Sequence, residues 1–372
     1  MTPTSETSLA TPSITPSITP PIILSVTDQP VAETKSVATV LTERPLVSVI
    51  IPTYDRLDYL REAIASAVSQ TYTNLEIIVA DDCGPANSKE VVDSFQDSRI
   101  QYKRNPTNLG VSLNLARSFA AAKGKYVASL NDDDRWDQHF LETLIRPLED
   151  NSELVLAFCD YFIIDDDGHI NEAATQKQTQ REGRAQLSEG IHQPFRKISV
   201  MDQAVFTAAA ALIRKDAVNW AQISEAGVFY DYYIAYLASR SGQGAYYCPQ
   251  RLSYYRIHAT GENMISGKHS LPAKIRKGKA GAFCYEQFIE DPNLAAYRTY
   301  FQHEWAHANT TIGIAFLRMG DPQKARTYIH RALQYHRFNL RTLVAYSLSY
   351  LPQSLSHSWA NVSNPGLFTR PR

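Results

Sequence analysis

Long apolar runs are missing from this sequence of 372 residues. The best candidate, Leu343 to Leu351, is interrupted by Ser and Tyr and falls well short of the roughly 20 residues that a spanning helix needs, so no transmembrane segment is expected. Cysteine is sparse. Cys83, Cys159, Cys248 and Cys284 lie far apart without paired metal-ligand spacing, and the N-terminus lacks the basic-then-apolar pattern of a secretory signal. Together these absences point to reduced thiols in a cytoplasmic protein, with the sequons at Asn309 and Asn361 carrying no meaning. Excess charge is absent too: 37 Lys and Arg face 38 Asp and Glu, a formal net charge of -1, so nothing draws the chain to nucleic acid. No Gly-x-Gly-x-x-Gly follows the first apolar strand, which argues against hydride transfer with a dinucleotide.

What is present divides into three parts. Residues 1–44 are rich in Thr, Ser and Pro with a near repeat and read as a disordered leader. Residues 45–265 alternate β-branched runs with helix-period segments, the texture of an α/β fold with a mostly parallel sheet flanked by helices. Strands are expected at Val47–Ile51, Leu75–Ala80, Ile100–Lys103, Tyr126–Ser129, Leu154–Ile164 and Ala208–Ile213. Helices are expected after Leu57, over Val111–Ala122 with Lys123-Gly124 as C-cap, over Asp137–Glu149 capped by Asp134 or Asp137, and over Asp231–Ser239. Residues 171–198 are Gln-rich and read as a long irregular loop near a substrate, and Asp165 to Gly168 as a hairpin turn without chemistry. Residues 266–372 form a helical extension. Its Trp305–Asn339 stretch resembles one tetratricopeptide-type helix pair, although stacked repeats usually need about three units, which favours a plain helical subdomain on the sheet.

Chemistry concentrates at three strand ends, because ligands of open parallel sheets bind beyond the carboxyl ends of the strands. Residues 130–136 read Leu-Asn-Asp-Asp-Asp-Arg-Trp, and three adjacent carboxylates repel one another unless a cation balances them. Hard oxygen ligands suit magnesium or manganese, which bridge phosphates. At the other ends, Tyr54 offers an aromatic face for a base, Arg56 a guanidinium for a phosphate, and Asp82 an acceptor for a base N–H or ribose hydroxyl.

The segments Val47 to Arg56, Ser69 to Tyr72, Leu75 to Asp82, Asn105 to Val111 and Lys123 to Tyr126 together resemble the inverting family 2 glycosyltransferases of the GT-A fold, over roughly residues 45–261. The resemblance implies that Pro52, Thr53, Tyr54, Arg56, Asp82 and Asp132 bind the donor nucleotide. It implies a manganese or magnesium ion held by Asp133, Asp134 and His258, the last in the element Tyr255-Arg-Ile-His258. Asp231, opening a helix, would be the catalytic base. The chain departs from the family at Asn131, where aspartate is usual, at Leu115-Ala116, where Arg-Asn is common, and at Tyr230, where glutamate is frequent. The implied function is transfer of one sugar from a nucleotide-diphosphate donor, UDP-linked by expectation, to a hydroxyl of a glycan or lipid-linked saccharide. Peripheral attachment at the inner membrane face and a protein partner for the helical extension stay open. Two alternatives stand beside it: an inactive sugar-nucleotide-binding scaffold or sensor, and a nucleotidyltransferase, for which Pro52 to Leu57 lacks the Gly-rich, Lys/Arg-bearing loop.

Overall fold

The computed structural model describes residues 44–258 and 270–351. The Thr/Ser/Pro-rich leader up to Glu43 and the Asn361 sequon lie outside the described residues. In chain order the elements are β1 (Val47–Thr53), α1 (Leu57–Val68), β2 (Leu75–Asp81), α2 (Ser88–Asp93), β3 (Ile100–Arg104), α3 (Val111–Ala121), β4 (Tyr126–Ser129), β5 (Arg135–Trp136), α4 (Phe140–Asp150) and β6 (Leu154–Ile164). There follow α5 (Glu172–Arg181), β7 (Gly190–His192), α6 (Arg196–Val200), β8 (Ala211–Arg214), α7 (Tyr230–Ser239), β9 (Gly244–Arg256), α8 (Leu271–Glu290), α9 (Arg298–Arg318), α10 (Pro322–Leu333) and α11 (Leu340–Leu348). Among the described residues no helix is long and apolar enough to cross a membrane.

One sheet runs in the order β3-β2-β1-β4-β8-β6-β9-β5, with β7 added beside β9. Strands β1 to β4 are mutually parallel, as the α/β expectation requires, while β8 runs antiparallel to both β4 and β6 and turns the second half of the sheet mixed. Every residue of β1 and β2 is buried, because helices cover both faces. Val47, Val49 and Ile51 pack with Leu60 and Ile64 of α1 and with Phe140, Leu144 and Leu148 of α4. On the opposite face, Ile50 and Ile78 pack with Leu115 and Phe119 of α3 and with α7, whose cluster continues into Cys284 and Phe288 of α8 and Phe301 of α9. The helical extension therefore grips α7: Phe288 meets Tyr236 at 4.6 Å between ring centroids, and Tyr236 donates to Asp291 across 3.1 Å.

Several local expectations are corrected. Helix α3 does not end on a left-handed glycine; it stops at Ala121, with Ala122 extended at φ -65° and ψ 143°. Gly124 serves close approach instead. A Cβ there would lie 2.7 Å from Ser48 N, Ser48 Oγ and the Tyr126 carbonyl, in a turn where Gly124 N donates to Ser48 Oγ and Lys123 N to Glu76. Helix α4 starts only at Phe140, because Arg135 and Trp136 are drawn into pairing with β9; neither Asp134 nor Asp137 caps it. The supposed irregular loop at 171–198 contains α5, capped by Asn171, plus β7 and α6. Its inner face is polar: Thr179 and the buried Arg184 both bind the buried Asp160 of β6, so no apolar period marks the helix. The Asp165–Gly168 turn is present, with Gly168 at φ 84°.

Replacing Gly124 by Ala forces backbone apart between β1 and β4 and is expected to destabilise by about 1–3 kcal/mol in urea unfolding. An unchanged midpoint would show that the turn relaxes freely.

Candidate active site

The exits of β1 and β2 bend sharply toward each other. Asp55 and Cys83 both adopt φ of 63°, a left-handed conformation that costs free energy in a non-glycine residue. Gly84 permits the approach, since a Cβ there would sit 2.9 Å from Asp55 N. Behind the bend, Asp81 accepts from Tyr102 at 2.6 Å and from Gly84 N at 2.9 Å.

Into this corner β4 delivers the acidic triplet, and each carboxylate meets a different environment. Asp132 is fully buried; its Oδ2 accepts from Thr53 Oγ1 at 2.7 Å and Tyr54 N at 3.3 Å, while Oδ1 accepts no hydrogen bond although Arg56 Nη2 lies 2.6 Å away. Burial pushes Asp132 up to about 6 against the opposing pull of Arg56. Asp133 is partly buried, and its desolvation alone would raise it, yet the His258 hydrogen bond and the Arg56 charge hold it below the ordinary carboxylate range. His258 Nε2 lies 3.1 Å from Asp133 Oδ2, and Arg56 Nη1 bonds that same oxygen. Burial, reinforced by Asp133, pushes Asp134 upward.

Arg256 builds the loop. Its backbone N–H donates to Asp134 Oδ1 at 2.9 Å, Nε to the Asp133 carbonyl at 2.8 Å, Nη1 to the Asp166 carbonyl at 2.8 Å, and Nη2 to Glu62 at 2.6 Å. The guanidinium also lies 4.4 Å from the Tyr59 ring centre. Sequence reasoning singled out only the neighbouring His258. The signal was available, because an arginine inside a strand that ends beside an acidic triplet has an obvious countercharge role.

Three expected donor or metal residues turn out to be engaged within the protein. Asp82, expected to accept from a nucleoside, receives Asn105 Nδ2, Leu109 N and Gly110 N and so holds the 105–110 loop. Arg56, expected at a phosphate, faces Asp132 and Asp133, since buried like charges need a nearby cation. Asp134, expected as a metal ligand, spends Oδ1 on Arg256 N and Oδ2 on Asn131 Nδ2 at 3.3 Å. Among the described residues no three His, Cys, Asp or Glu side chains form a ready metal cluster. Asp133 and His258 do meet, and their 3.1 Å spacing suits two ligands of one octahedral ion at about 2.1 Å. Such ions need only one or two carboxylates when substrate phosphates supply the remaining oxygens. The donor set, including Asp132 Oδ1, which faces Arg56 without a hydrogen bond, therefore fits manganese or magnesium. Pro52 is buried in β1, and Tyr54, at 47% exposure, presents its ring at the mouth of the corner.

Asp231 sits partly exposed in the first turn of α7, on a cleft that Asn131, Glu182, Tyr230, Phe206 and Tyr255 also line. Burial raises it from 3.8 to about 6, the backbone N–H of Tyr232 opposing and the Glu182 charge adding. Two of the departures noted above are partners: Tyr230 OH donates to Asn131 Oδ1 at 2.7 Å, joining α7 to the acidic loop. The third, Leu115-Ala116, is buried in the core against α7.

Residues 48–210 match the family described as Glycosyl transferase family 2. Among curated proteins, the glycosyltransferase TuaG of Bacillus subtilis, named for teichuronic acid biosynthesis, is 30% identical over 127 residues, 34% of this chain and 50% of TuaG. An uncharacterized glycosyltransferase of Nostoc sp. is 28% identical over 314 residues, 77% of this chain and 94% of that protein. The chain spans about half the length, or less, of several curated relatives that it matches. Among solved structures, S. aureus TarS 1-349 in complex with UDP-GlcNAc superposes with a TM-score of 0.57 at 14% identity, covering 82% of this chain and 90% of TarS 1-349. The mannosyltransferase PcManGT from Pyrobaculum calidifontis, in complex with GDP-Man and Mn2+, gives 0.51 at 16% identity, covering 86% of this chain and 89% of that one. These two share the fold. It is residues 48–210 that carry the similarity to glycosyl transferase family 2.

Proposed function

We propose that the protein transfers a sugar from a nucleotide-diphosphate donor to a saccharide hydroxyl with inversion, Asp231 acting as base. The observation that carries this reading is the common cleft: the acidic loop, through Asn131, and α7, through Asp231, wall one opening. An inverting displacement needs that arrangement, because the attacking hydroxyl and the leaving diphosphate lie on opposite sides of the anomeric carbon. The UDP-GlcNAc bound to TarS and the GDP-Man bound to PcManGT support a nucleotide-sugar donor, and we take a uridine nucleotide as the first candidate. The name of TuaG supports a polysaccharide as acceptor.

Each role follows from the side chain's surroundings. Tyr54 offers its exposed ring to the base, while Pro52, Thr53 and Asp82 shape the floor beneath it. Asp132, ionised above about pH 6, is an acceptor for ribose hydroxyls. Asp133 and His258 would hold a divalent ion, with Asp134 fixing the loop's geometry from behind. That ion, when bound, neutralises charge on the departing diphosphate. Asp231 Oδ takes the proton of the acceptor hydroxyl as its oxygen forms the new bond to the anomeric carbon and the bond to diphosphate breaks. Tyr230, bonded to Asn131, fixes the distance between base and loop. Arg56 is released to a phosphate only when another cation takes its place beside Asp132 and Asp133.

The raised Asp231 has a checkable sign. Its folded value of about 6 exceeds 3.8, so its stabilising contribution is present below pH 4 and is lost as pH rises through 6. Asp231→Asn therefore folds at pH 7 at least as stably as wild type. It should keep donor affinity, lose transfer by about 10²-fold or more, and lose the acid limb near pH 6. Full activity in that variant would move the base elsewhere. Tyr230→Phe should lower kcat by about tenfold, the worth of one hydrogen bond to alignment, with donor affinity unchanged by calorimetry. Wild-type kcat would deny the tyrosine a positioning role.

A further inference from the structure

Far along the chain from the acidic loop, a second cleft of about 260 Å³ opens between α8, α9 and the start of α11. Lys274, His307, Thr311, Arg318 and Arg341 line it, and no carboxylate among the described residues does. Arg341 extends across the opening: Nη2 donates to Thr311 Oγ1 at 3.0 Å and Nη1 lies 3.3 Å from His307 Nδ1, while Nε is buried with no acceptor. Burial lowers Lys274, with Arg318 and Arg341 adding repulsion, and burial together with Arg318 brings Arg341 down to about 10. Lys274 and Arg341, two cations brought together in a half-buried cleft, oppose folding unless something negative shares the space.

We propose that this cleft is an anion site for a phosphate group, held by the ammonium of Lys274 and the guanidinium of Arg341. The chemistry suits that ligand. A tetrahedral oxyanion accepts in several directions at once, from a point charge, a planar fork and a hydroxyl such as Thr311 Oγ1. A carboxylate has only two oxygens in one plane and would leave more of these donors unused. The site is separate from the transfer chemistry, because none of its residues lines the cleft that holds Asp231. Phosphate could arrive free in solution or as a phospholipid headgroup. Phe338 and Leu340, 93% and 64% exposed just before Arg341, would contact the acyl region in the second case.

The test uses the full chain in chelator, so that no metal recruits phosphate to the acidic loop. Inorganic phosphate at millimolar concentration should raise the melting temperature by about 2–4 °C over chloride of equal ionic strength. The rise should vanish in the Lys274→Gln, Arg341→Gln double variant and persist in Asp133→Ala, which separates this cleft from the transfer site. Co-sedimentation with phosphatidylglycerol vesicles, against phosphatidylcholine, distinguishes the sources: binding lost in the double variant names the headgroup. Should the double variant fail to fold, Lys274→Gln alone is expected to weaken phosphate or vesicle affinity about tenfold, the effect of one charge-assisted contact. Equal responses in wild type and variants, or no response of wild type to phosphate and to anionic vesicles, would overturn the proposal.

Discussion

The site depends on how three carboxylates are kept together out of water. Asp132 and Asp134 are fully buried and Asp133 is partly so, and each would destabilise the fold if left alone. Arg256, itself buried, spans from β9 to the loop's backbone and to Glu62 of α1, while on the open side Arg56 supplies countercharge and His258 bonds Asp133. The arrangement is asymmetric. One side is closed by covalently placed donors that cannot leave, and the other by an arginine on a turn whose countercharge role another cation could assume. In the folded state Arg56 is the cation that faces Asp132 and Asp133 on this open side.

The second constraint is the position of α7. Its inner face is locked by Phe288 and Asp291 of the helical extension, and its first turn is joined to Asn131 by Tyr230. The extension thus does more than cover a sheet face. It holds the helix that carries Asp231 at a set distance from the acidic loop, so alignment of the two halves of the cleft is a property of residues remote from it.

Much of this was legible in the sequence where burial is complete. The expected β1, β2, β4 and β6 appear because fully covered strands read as unbroken β-branched runs, and α3 because its apolar residues recur at helical spacing, whereas α7 is buried almost all round and shows no such period. Helix α5 was hidden by its polar inner face, where Thr175 and Thr179 take the places of Leu or Val. Strand β9 was hidden by Pro249 and Gln250 at its middle and by register shifts near Asp160, which destroy alternation. At the site, the residue types were visible but their partners were not. Nothing local shows that Asn105, Leu109 and Gly110 converge on Asp82, or that Tyr230 and Asn131, 99 positions apart, share a hydrogen bond.

In the proposed function, Asp133 and His258 take a divalent ion together with a nucleotide diphosphate, displacing the countercharge that Arg56 supplies. Calorimetric titration of uridine diphosphate into the wild-type chain and into Asp133→Ala, each with and without manganese, tests it most directly. Tight binding is expected only for the wild type with manganese. Equal affinity in all four titrations would contradict it.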